Sequence, residues 1–82
     1  MKLKQTNFEA VREFMVACDQ KVKSTPAFPD QDTMDLRLSL IEEEFGELLW
    51  ALDNRDMIEV ADALADILYV VYGMGHSFGI DL

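Results

Sequence analysis

Leu38-Ser39-Leu40-Ile41-Glu42-Glu43-Glu44-Phe45-Gly46-Glu47-Leu48-Leu49-Trp50-Ala51-Leu52 is followed by Asp53-Asn54-Arg55-Asp56 and then by Met57-Ile58-Glu59-Val60-Ala61-Asp62-Ala63-Leu64-Ala65-Asp66-Ile67-Leu68. Two apolar runs at helical spacing are threaded with acids and parted by four turn-forming residues, the pattern of an antiparallel helical pair. On a wheel turning about 100° per residue, Glu44 and Glu47 fall together with Glu43 beside them, framed by Leu40 and Ala51. Glu59, Asp62 and Asp66 form one narrow stripe on the other helix, and a short turn makes the two stripes face each other. Glu42 points elsewhere, toward Gly46 and Asp53, and reads as solvated surface.

Carboxylates in apolar surroundings need partners, because removing an ion from water costs several kcal/mol. From Leu38 to Leu82 there are ten acids and one base, Arg55, so salt bridges in that region cannot supply them. Hard divalent cations can: an all-oxygen ligand set suits magnesium, with manganese as a substitute. The candidate metal ligands are Glu44, Glu47, Glu59, Asp62 and Asp66. Two other readings stand beside this one: the acids form a plain solvent face, or neighbouring carboxyls share protons without metal. A di-iron bundle would use Glu-x-x-His pairs, and the one histidine, His76, has Gly73 three residues before it. His76 reads as a helix-end or core histidine.

Outward from this pair, the second helix opens on an Asp30 or Asp32 cap and runs to about Leu52. Its main apolar stripe is Met34, Leu38, Ile41, Phe45, Leu48 and Leu52; Leu36, Leu40, Trp50 and Ala51 make a second apolar region. The third runs from Met57 to Met74 or beyond, apolar nearly all round, with Gly73, Gly75 and Gly79 marking a fraying end. A first helix is predicted from a Thr6 or Asn7 cap to about Val22. The strap Ser24-Thr25-Pro26-Ala27-Phe28-Pro29 joins it to the second, extended by its two prolines. No strand pattern or repeat is present. The fold class is all-α: an antiparallel helical bundle completed by oligomerisation, since 82 residues make one marginal core at most.

Half the residues are apolar and the formal charge is -9, which argues against a nucleic acid polymer or an anionic membrane as partner. The apolar run Ile67 to Ile80 is shorter than a membrane span requires. Met1 to Asn7 lacks the apolar core of a signal peptide, and the single cysteine, Cys18, reads as a buried structural thiol, so a cytoplasmic location is expected.

Glu43-Glu44-Phe45-Gly46-Glu47 followed by Glu59-Val60-Ala61-Asp62 resembles the EExxE and ExxD signature of the all-α NTP pyrophosphohydrolases, which include MazG proteins and phosphoribosyl-ATP pyrophosphohydrolases. Leu36-Arg37-Leu38-Ser39-Leu40-Ile41 and Asp66-Ile67-Leu68-Tyr69-Val70-Val71 extend the likeness, which spans about Pro26 to Leu82. The resemblance implies that residues 1–82 are a single MazG-like helical domain, truncated at its C-terminus relative to relatives that continue into another helix. It also implies Mg²⁺-dependent hydrolysis of a nucleoside or deoxynucleoside triphosphate to monophosphate and pyrophosphate, in a homodimer or homotetramer. Glu44 and Glu47 would be ligands. The third-helix pair is either Glu59 with Asp62, by literal spacing, or a set that includes Asp66, which precedes Ile67-Leu68-Tyr69 as in relatives but has Ala63 three residues earlier. Glu43 is the candidate general base. Lys21, Lys23 and Arg37 could meet the phosphates, and Phe28 could stack on the base. The rival expectation is a non-catalytic helical oligomerisation or metal/nucleotide-binding module.

Overall fold

The computed structural model describes residues 4–82 and shows three helices in chain order: α1 (Asn7–Ala17), α2 (Gln31–Asp53) and α3 (Met57–Phe78). The reading of Met1, Lys2 and Leu3 as no leader lies outside the described residues. Each helix opens on a side-chain cap. Thr6 accepts from the Glu9 amide at 3.1 Å while the Glu9 carboxylate accepts from the Thr6 amide at 2.9 Å, a reciprocal capping box. Asp30 accepts from the Thr33 amide at 2.8 Å, and the bonds from Thr33 hold its carboxyl below the usual range. Asp56 accepts from the Glu59 amide at 3.1 Å.

α2 and α3 pack as an antiparallel hairpin, with residue numbers falling on one helix as they rise on the other. Arg37 lies against Gly73, Glu44 groups with Asp66, and Glu47 and Trp50 share a cleft with Asp62 and Glu59. The turn between them is tight: the Asn54 amide and side chain both bond the Trp50 carbonyl, and Arg55 takes a left-handed φ of 53°. α1 covers only the C-terminal half of α3. Phe8 stacks on His76 with ring centres 3.8 Å apart and meets Tyr72 edge-on, while Phe14 meets Tyr69 edge-on. His76 is buried and its Nε2–H donates to the Phe8 carbonyl at 2.8 Å, the helix-end core position expected.

Four expectations need correction. α1 stops at Ala17 rather than Val22, because Cys18 and Asp19 leave the helical path, Asp19 at φ 60°. Cys18 is exposed rather than buried, since it sits on that turn and not on the packed face. α3 does not fray at Gly73 and Gly75. Both are buried inside it, where the missing side chains make room for Arg37 and Leu82. Of the stripe expected to be the main buried face of α2, Leu38, Phe45 and Leu52 are about half exposed in the single chain, and the inward face instead carries Arg37, Glu44 and Ala51.

The strap closes the C-terminal end of α3. Lys23 and Ala27 donate their amides to the His76 and Phe78 carbonyls, and Gly79 at φ 72° lets its amide and that of Ile80 bond back to His76 and Gly75. The apolar core is small: Val11, Met15, Ala51, Ala63 and Val70. Met57 and Ile58 are each 78% exposed, and Leu64 and Leu68 remain about half exposed. Among the described residues no helix is long and apolar enough to cross a membrane.

Candidate functional site

Register decides which acids meet. Glu44 and Glu47, one turn apart on α2, come level with Asp66 on α3, and one carboxylate oxygen from each lies within 4.8 Å of the others. Glu59 and Asp62 sit further along the same seam. They line a cleft of about 320 Å³ with Glu47, Trp50, Ala63 and Asp66. Four of the five acids proposed as metal ligands therefore line one cleft, and Glu44 joins them only through its convergence with Glu47 and Asp66. Glu43 is exposed and does not line the cleft, but it is close enough for its charge to act on Glu44.

Glu44 carries the strain of this crowding. Its Oε2 is buried without a hydrogen-bond partner. Two ionised carboxylates have no donor between them, so Glu44 and Glu47 can hydrogen-bond only when one is protonated. That bond is the main force pushing the Glu44 carboxyl up to about 7, followed by burial and by repulsion from Glu47, Asp66 and Glu43. Because the folded chain holds this proton more tightly than the unfolded chain, its stabilising contribution is complete below the ordinary value of 4.5 and is lost as pH rises through about 7. In the presence of EDTA the thermal midpoint is expected to rise as pH falls from about 8 to about 5, and Glu44→Gln is expected to flatten that slope. Differential scanning fluorimetry over that range checks it.

The other proposed residues lie elsewhere. Arg37, 8% exposed, is wedged between α2, α3 and the loop after α1. Its Nη2 donates to Gln20 Oε1 at 3.0 Å, its Nε is buried without a partner, and burial lowers its pKa. Lys21 and Lys23 place their charges near Asp30. Phe28, 81% exposed, touches Phe78 edge-on with ring centres 5.6 Å apart. None of these four lines the acidic cleft. Trp50 does, a role hidden in the sequence by its place in an apolar run; its spacing of three from Glu47 was the available signal.

Fold and site together define a class: all-α proteins that gather carboxylates from two facing helices. The chain belongs to the phosphoribosyl-ATP pyrophosphohydrolase family, whose model matches residues 11–82. It is also 45% identical over 83 residues to an uncharacterized protein of Acanthamoeba polyphaga mimivirus, an alignment that covers 96% of this chain and 33% of that protein. The chain thus spans about a third of the length of this relative.

Proposed function

We propose that the chain is a metal-dependent pyrophosphohydrolase that splits a nucleoside or deoxynucleoside triphosphate into the monophosphate and pyrophosphate. The observation that carries this reading is the convergence of Glu44, Glu47 and Asp66 around a buried, unpartnered Glu44 oxygen. Three hard oxygen donors with an unsatisfied negative charge among them fit a divalent cation, Mg²⁺ or Mn²⁺. Membership of a pyrophosphohydrolase family supports the reaction type.

Glu44, Glu47 and Asp66 would hold the cation. When bound, it supplies charge neutralisation for the phosphate oxygens and acidity to a nearby water. Glu43, exposed beside Glu44, would take the proton of a water attacking phosphorus as pyrophosphate departs. The exposed apolar faces of α2 and α3 support a homodimer or homotetramer, since burying Phe45, Leu52, Met57 and Ile58 would offset the smallness of the core. Those same faces favour, as a second reading, an assembly module without catalysis.

Incubation with a panel of NTPs, dNTPs and phosphoribosyl-ATP in Mg²⁺ separates the two. Pyrophosphate is expected as the first product for at least one of them. Orthophosphate as the first product, or no release from any, contradicts the hydrolysis reading.

A further inference from the structure

We propose that Trp50 is the platform on which the substrate's base stacks, and that Glu59 and Asp62 across the cleft favour bases bearing an exocyclic amino group. The inference rests on the pyrophosphohydrolase reading and adds to it the part of the site that reads the nucleotide.

Three observations lead there. Trp50 is 56% exposed, and it lines the cleft that holds Glu47, Glu59, Asp62 and Asp66. Trp50 also lies one turn from Glu47, so a ligand whose phosphates reach the three converging carboxylates extends naturally over the ring. Finally, the backbone at Trp50 is fixed. Its carbonyl receives both the Asn54 amide at 3.0 Å and the Asn54 side chain at 2.8 Å, which fixes the last turn of α2. A partly open tryptophan in a polar cleft of about 320 Å³ suits a flat heteroaromatic ring better than it suits a partner chain, which would have to desolvate the surrounding acids.

The opposite wall sets the preference. Among the described residues, the side chains of Glu59 and Asp62 do not join the three-carboxylate convergence, and ionised carboxylates accept hydrogen bonds but cannot donate them. Adenine, cytosine and guanine each present an amino group to such acceptors. Uracil and thymine present carbonyl oxygens on either side of a single N–H, which carboxylates repel.

Trp50 is the chain's one tryptophan, so its fluorescence reports the contact directly. Titration with GMP, AMP and CMP is expected to quench it saturably, with UMP about fivefold weaker and ribose 5-phosphate without effect. Trp50→Ala is expected to raise KM on the order of 10-fold, with Trp50→Phe restoring most of the loss. Equal quenching by ribose 5-phosphate, or unchanged KM in Trp50→Ala, overturns the stacking role; so does fluorescence that shifts with protein concentration and ignores nucleotides. Equal affinity for UMP overturns the base preference. Absence of pyrophosphate release from the unaltered chain contradicts the underlying reading instead, and the fluorescence titration still decides the stacking.

Discussion

Glu47→Gln is expected to reduce Mg²⁺-dependent pyrophosphate release by at least about 10²-fold while raising the melting midpoint of the metal-free protein at neutral pH. The two signs have one cause. Glu47 is one of three carboxylates whose oxygens lie within 4.8 Å of one another, so its charge is useful only when a cation lies among them. Without the cation it is the leading influence that drives Glu44 toward its protonated form. Glutamine keeps the shape, supplies an N–H for the Glu44 carboxylate and removes the repulsion. A variant that lost activity by misfolding would melt lower, so a pyrophosphate assay paired with a thermal scan in EDTA distinguishes the causes. Full activity in Glu47→Gln would remove this residue from the site.

The second large effect is on stability. Gly79 ends α3 in the left-handed region, and a Cβ there would collide with the Thr25 carbonyl. Gly79→Ala therefore combines the ordinary cost of that backbone conformation with a displacement of the strap, in total on the order of 3 kcal/mol. For a domain of this size the midpoint should fall by about 15 °C. Gly46 provides the contrast. It lies inside α2, where an added Cβ would meet nothing within 4 Å, so Gly46→Ala should stabilise the single chain by about 0.5–1 kcal/mol through helix propensity. Thermal and urea unfolding of both variants measures the difference, and equal effects would mean that the strap contact does not restrain α3.

Much of this was legible in the sequence. Apolar spacing through Leu38–Leu68 with four turn residues between was enough for an antiparallel hairpin, and the acids inside it marked the candidate site. Which of Glu59, Asp62 and Asp66 comes level with Glu44 and Glu47 was not legible, because all three share one stripe on the wheel. Height along the seam separates them, and a wheel projects height away. Likewise the periodicity of Phe45 and Leu52 announces burial without saying whether the cover comes from this chain or another. Val22 continued the spacing of α1, but Asp19 turned the backbone out of the helix first, and that change carried Cys18 to the surface. Arg37 read as a free cation because its partner, Gln20, lies in a loop whose path spacing alone does not set.

Electron paramagnetic resonance of Mn²⁺ tests most directly whether Glu44, Glu47 and Asp66 together hold a divalent cation. Titrating the protein at neutral pH should diminish the signal of free Mn²⁺ saturably, with Mg²⁺ competing and Asp66→Asn restoring it. A free-ion signal that the protein leaves unchanged, or one that Asp66→Asn diminishes equally well, would contradict the account.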